Sequence, residues 1–141
     1  MSAAAHRLRR HADYQRVYKS SRKRFGKQMS YFFLLREPQL PSKTHTTSES
    51  TAGLRVGLTV SRAMGKAVQR NRIKRRMREA VRHHMDELEG PIDVVLHPGR
   101  RVIDIEFSLI ERDIAQIFQT IQRDIDRQSR AGELPAERGI A

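Results

Sequence analysis

The sequence predicts an α+β fold: a small mixed sheet of roughly three to four strands covered by helices, in the order α-β-β-α-β-α. Three observations predict it. The run Met29 to Leu35 (MSYFFLL) is aromatic and aliphatic enough for a buried strand. From Leu54 to Val60, Leu54, Val56, Leu58 and Val60 alternate with Arg55, Gly57 and Thr59, the period of a strand with one face on a core. Two later segments switch to spacings of three and four, the period of helices with one buried stripe.

Taken in order, residues 1–7 carry no periodic pattern and read as a flexible N-terminus. From Ala12 to Lys19, Tyr14, Val17 and Tyr18 fall at helical spacing and predict a short first helix. Ser20 to Lys27 (SSRKRFGK) reads as a basic connector leading into the strand at Met29. Residues 37–53 contain two prolines and a SKTHTTSEST run, a polar loop insertion that cannot build core. The strand Leu54 to Val60 follows, with Arg55 and Thr59 expected on the sheet face opposite Leu54 and Val56.

A helix is then predicted from about Ala67 to Leu88, with the stripe Ile73, Met77, Ala80, Val81, His84 and Leu88, and Gly90-Pro91 stopping it. Ile92 to Leu96 forms a short strand, and His97-Pro98-Gly99 reads as a turn. Ser108 and Glu111 suggest a capping box for the last helix, whose face is Ile110, Ile114, Ile117, Phe118, Ile121 and Ile125. Residues 8–127 thus read as a single domain, and 128–141, rich in Gly, Pro, Glu and Arg, as a flexible tail.

Composition narrows the function. The 141 residues carry a formal net charge of +12, with a pI near 11.1. A compact chain so charged repels itself, and a polyanionic partner relieves that repulsion. There is no cysteine, so disulfides and thiolate metal sites are excluded. No apolar run has the length of a membrane span or the form of a secretory signal, so the expected location is the cytoplasm, with no membrane partner.

The charge is concentrated in one place. Nine Arg or Lys residues lie between Arg62 and Arg82, and only Glu79 opposes them. With about 100 degrees per residue, Asn71, Lys74, Arg75, Arg78 and Arg82 face away from the apolar stripe, and Arg72 and Arg76 fall on one flank. Any one of these cations is equally well explained as a solvated helix face. The set is not, because Arg72–Arg76, Lys74–Arg78 and Arg78–Arg82 repel at i, i+4. Arg70 falls near the edge of the stripe, where it can fix the helix or face a ligand. Arg62 and Lys66, beside the free amides of the helix start, make a generic phosphate cradle, with Gly65 allowing the tight turn.

Tyr14 and Tyr18 sit one turn apart beside Arg16 and Lys19. They are equally readable as core rings or as a stacking platform for unpaired bases. Phe32 and Phe33, adjacent on a strand, face opposite sides of the sheet. Few aromatics near dense basic charge suit single-stranded RNA better than a duplex groove. No nucleophile motif and no metal-ligand spacing of histidines with carboxylates is present, so neither catalytic nor metal residues are predicted.

The run RVGLTVSRAMGKAVQRNRIKRRMRE, centred on Arg70-Asn71-Arg72, closely resembles the signature of the bacterial ribonuclease P protein subunit. Leu8, Asp13-Tyr14, Val17-Tyr18 and the strand at Met29 to Leu35 extend the resemblance upstream, and Pro91 to Val95 downstream, so that it covers roughly residues 8 to 125. It implies a fold like domain 2 of ribosomal protein S5, with a left-handed strand–helix–strand crossover, against the usual handedness. It also implies a subunit, one per RNA, of an endoribonuclease whose catalytic RNA hydrolyses precursor tRNA to release the 5′ leader, with Mg2+ held mainly by RNA and substrate.

By position, the leader cleft would comprise Tyr14, Tyr18, Phe32, Thr59, Arg70, Asn71 and Lys74. Arg62, Lys66, Arg72, Arg75, Arg76 and Arg78 would address RNA phosphates. The chain departs from the family pattern in three places: tyrosine replaces the commoner phenylalanine at 14 and 18, Ala63 stands where a second lysine is usual, and the 37–53 loop is long. The rival reading is a basic ribosomal protein or general RNA chaperone, which would show no preference for a 5′ extension.

Overall fold

The computed structural model describes residues 7–36 and 53–133. Three helices, α1 (His11–Ser20), α2 (Ala67–His84) and α3 (Phe107–Glu133), flank a sheet of β1 (Arg24–Phe25), β2 (Met29–Leu35), β3 (Arg55–Leu58) and β4 (Ile92–Pro98). The strand order is β1-β2-β4-β3. β2 pairs antiparallel with β1 and β4, and β3 lies parallel to β4, joined to it through α2. The α+β class and the predicted element order hold, with one strand added.

Period-two alternation divides the sheet into two unequal faces. Met29, Tyr31 and Phe33 of β2, Val56 of β3 and Ile92, Val94 and Leu96 of β4 face the main core, with the stripes of α2 and α3. Ile110, Ile114, Ile117, Phe118, Ile121 and Ile125 are all buried there, as their spacing predicts. Each such side chain contributes about 1.5–3 kcal/mol of burial. The opposite face carries a smaller cluster of Leu8, Val17 and Val95, with Tyr14, Tyr18, Phe32 and Leu34 packed around it. That second cluster is what α1 covers.

Several boundaries differ from the sequence reading. The basic connector contains β1, pairing Arg24 with Tyr31 and Phe25 with Ser30. It is held from a distance: the Asp113 carboxylate accepts the amides of Lys27 and Gln28 at 3.0 and 2.7 Å, and Arg24 pairs with Asp124. α2 ends at His84, four residues before the predicted end, and a 3-10 turn over Met85–Glu87 carries the chain so that Leu88 still reaches the core. His84 is not a core residue; it bonds the Glu87 carboxylate at 2.6 Å. β4 continues through His97 and Pro98, read from sequence as a turn, because both pair with β2. Proline is tolerated there as the last strand residue, beyond the end of the β3 ladder.

The predicted Ser108–Glu111 capping box does not form. Ser108 lies inside the first turn of α3, and Glu111 instead receives His83 at 2.5 Å. α3 runs to Glu133, so residues 128–133 of the expected tail are helical. Arg7, placed in the expected flexible N-terminus, bridges to Val56 at the β3 edge. The remaining expectations for 1–6, 37–52 and 134–141 lie outside the described residues. The stems of the polar insertion meet where Arg36 donates to the Gly53 carbonyl at 2.7 Å.

Candidate RNA interface

The position of α1 is set by charge as well as by apolar packing. Asp93, fully buried in β4, receives Arg55 of β3 through two bonds, 2.8 and 2.9 Å long, and also receives Arg36. Arg55 reaches on to Asp13 of α1 at 3.5 Å. Two carboxylates and the guanidinium between them thereby tie β3, β4 and α1 together. A buried charge without such partners would be strongly unfavourable, so the network fixes the register of helix on sheet.

With α1 so placed, its two tyrosines project along the sheet. Tyr14 packs over Gly57, where a Cβ would lie only 2.6 Å from its hydroxyl oxygen. Its hydroxyl donates to the Leu8 carbonyl at 3.3 Å, and burial raises the phenol above the usual tyrosine range, so it remains a donor. Tyr18 meets Phe32 edge-on, with ring centroids 4.9 Å apart. Its hydroxyl contacts Thr59 Oγ1 at 3.3 Å and His97 Nε2 at 3.0 Å. Tyr14, Tyr18, Phe32, Thr59 and His97 all remain partly exposed. Along the seam between α1 and the sheet they set a row of partly exposed rings and fixed hydroxyls, a candidate trough.

His97 escaped the sequence reading because a histidine before Pro-Gly looks like part of a turn. Its ring stands 5.4 Å from Phe32 and 5.8 Å from Tyr18, completing the aromatic wall. Burial, seconded by the ammonium of Lys23, holds the imidazole below the usual histidine range, so it is neutral near pH 7.

The cations of α2 divide into two groups. Arg72 donates to the Ile103 carbonyl at 2.7 Å, while Arg76 donates to Val102 at 2.9 Å and to Ile105. Both therefore hold α2 against the 3-10 turn of Arg100–Ile103 and the residues that follow it. This departs from their assignment as free phosphate contacts, although carbonyl acceptors leave the charge unneutralised and several donors open. Arg70 donates to the Gly65 carbonyl at 3.1 Å, closing the turn whose glycine has φ +132°. Gln69 accepts the Lys66 amide at 2.8 Å and caps the helix. Arg82 is paired with Glu79 at 2.6 Å.

The second group has no partner among the described residues: the side chains of Lys74, Arg75 and Arg78 make no hydrogen bond or ion pair there, nor do those of Arg62, before the helix, and of the uncharged Asn71. Arg75 and Arg78 border a cavity of about 400 Å³ together with Arg7, Tyr14 and the Val56–Leu58 edge of β3. Partial burial and the nearby Arg7 lower Arg78 from its usual value, the signature of cations that an anion would relieve. The structure thus brings Arg75 and Arg78 to the Tyr14 end of the trough. Arg70, Asn71 and Lys74, assigned to the leader cleft, line neither this cavity nor the groove beyond His97.

Residues 3–122 match the family described as Ribonuclease P. The chain belongs to the ribonuclease P protein family. It is 33% identical over 134 residues to the ribonuclease P protein component of Oleidesulfovibrio alaskensis, covering 94% of this chain and 98% of that one. It is 29% identical over 111 residues to that of Finegoldia magna, covering 79% and 86%. The fold is shared with the RNase P protein of Thermotoga maritima, with TM-score 0.63 at 21% identity over 83% of this chain and 96% of that one. It is shared too with a Staphylococcus aureus RNase P protein mutant with defective mRNA degradation activity, with TM-score 0.66 at 23% identity over 84% and 90%. Membership makes the chain an RNA-binding component of an endoribonuclease complex in tRNA processing, partnered with the ribonuclease P RNA. No helix among the described residues is long and apolar enough to cross a membrane.

Proposed function

We propose that the aromatic trough holds the single-stranded 5′ leader of precursor tRNA, while the basic face of α2 lies against the catalytic RNA. One observation carries this reading: Tyr14, Tyr18 and Phe32 stay partly exposed on one sheet face, and unpaired Arg75 and Arg78 flank the Tyr14 end. Bases stack on the rings without sequence preference, and the guanidinium groups follow the phosphates. The family assignment favours this over the ribosomal-protein or chaperone alternative.

Hydrolysis is left to the RNA subunit, one per protein. Among the described residues no group of three or more His, Asp or Glu could hold a metal ion. The ion is assigned to the RNA and the substrate, whose phosphate oxygens are the hard ligands that Mg2+ takes. The protein's own contribution is to orient the leader and to screen phosphate repulsion with fixed cations, which lowers the Mg2+ needed for assembly. The test is cleavage of precursor tRNA by the RNA subunit across Mg2+ concentrations, with and without the protein. The protein should shift the curve to lower Mg2+; coincident curves would contradict the proposal.

A further inference from the structure

We propose that the trough continues past His97 into a groove beneath the β1–β2 hairpin, and that this groove holds a further unpaired nucleotide stacked on Phe25. The inference rests on the leader reading and extends it to a second subsite. Phe25 is 76% exposed, one of only two large apolar side chains so exposed among the described residues. Leaving a phenyl ring in water forgoes the stabilisation that burial gives elsewhere in the chain. Its one ring contact among the described residues is cationic: the Lys23 ammonium lies 5.6 Å from the ring centroid.

Behind the ring lies a groove of about 410 Å³, within the range of a small-ligand site. Lys23 and Lys27 border it, Ser30, Thr59 and Ser61 supply hydroxyls, and no carboxylate among the described residues lines it. Two residues connect it to the trough. Thr59 and His97 line this groove and also bond the Tyr18 hydroxyl, so one RNA strand can pass from Tyr18 to Phe25 without crossing a gap. The platform is rigid, because the Asp113 carboxylate grips the Lys27 and Gln28 amides from below. Its chemistry, an aromatic plate with two ammonium groups and several hydroxyls, is that of a stacked base with its phosphate.

The experiment measures affinity of the full chain, assembled with its RNA subunit, for precursor tRNAs whose leaders grow one nucleotide at a time. Wild-type protein, Phe25→Ala, Phe25→Trp and Tyr18→Ala are compared, with leaderless tRNA as the reference. Because Phe25 is exposed, the alanine variant should fold, and a thermal melt verifies that. The expected result is that Phe25→Ala matches wild type on the shortest leaders, then falls behind by about fivefold or more once the leader reaches the groove. Phe25→Trp should restore the gain.

Phe25→Ala following wild type at every length, while Tyr18→Ala loses leader discrimination, would overturn this subsite and leave the leader reading intact. Both variants following wild type would remove the leader reading and this one with it. An equal loss on leaderless tRNA, or a dimer in sedimentation that Phe25→Ala dissolves, would give Phe25 a different occupant and overturn the proposal.

Discussion

The guanidinium of Arg55 and the carboxylate of Asp93 meet through two bonds of 2.8 and 2.9 Å at the interface between β3 and β4, in the layer that α1 covers. This pair, extended by Arg36 and Asp13, determines where the helix bearing both tyrosines sits. The trough therefore depends on a network buried between the helix and the sheet.

Asp93→Asn removes the charge that Arg55 and Arg36 share. Unpaired buried cations are costly, and the substitution should destabilise the fold by about 3–5 kcal/mol. Urea unfolding of the free protein measures this. A loss below about 1 kcal/mol would mean that water, rather than Asp93, satisfies Arg55.

Gly57→Ala places a methyl group 2.6 Å from the Tyr14 hydroxyl oxygen and 2.7 Å from the ring carbon bearing it. The ring must tilt away from the sheet, at a cost of about 1–3 kcal/mol. Affinity for leader-bearing tRNA should fall while affinity for mature tRNA stays unchanged. Binding assays on both substrates, beside a melt of the free protein, distinguish a displaced ring from general unfolding.

The two classes of α2 cation should respond in opposite ways. Arg76→Ala removes charged hydrogen bonds to Val102 and Ile105, and should lower stability by about 1–2 kcal/mol. Arg75→Ala or Arg78→Ala should leave stability within about 0.5 kcal/mol. Each should weaken RNA binding and reduce the salt dependence by about one phosphate contact. Melts combined with affinity measured at several salt concentrations test the division.

His97 predicts a pH dependence with a definite sign. Its folded-state value lies below the ordinary histidine value, so below about pH 6.5 the unfolded chain binds the proton more readily. Its contribution is complete above that pH and is lost as pH falls toward the folded-state value. His83, raised by its bond to Glu111, acts in the opposite sense, but it is exposed and screened. Stability should therefore decline on mild acidification, and His97→Gln should flatten that decline. A slope unchanged by His97→Gln would contradict it.

What the sequence disclosed follows from the range of the interactions. Met29–Leu35, the isoleucine face of α3 and the Ile73, Met77, Ala80 and Val81 part of the α2 stripe are local periodicities, and they appear in the structure as read; His84 does not join that stripe. β1 could not be read, because Arg24-Phe25 is a strand only by virtue of β2, Asp113 and Asp124. The structural duty of Arg72 and Arg76 depends on carbonyls 26 to 31 residues away, beyond any helical wheel. Asp93, an acid within an apolar strand, carries a signal of a buried ion pair; Arg55 stands on the sheet face opposite Leu54 and Val56, as the alternation predicts, but its pairing with Asp93 depends on the β3–β4 register. His97 joined the site only through its register with Ser30.

The most direct measurement compares the dissociation constants of precursor and mature tRNA for the wild-type complex and for Tyr18→Ala. The account predicts tighter binding of the precursor by wild type, and a loss of about tenfold in Tyr18→Ala confined to the precursor, consistent with one stacked base. Equal losses on both substrates, or no preference for the precursor in the wild type, would contradict it.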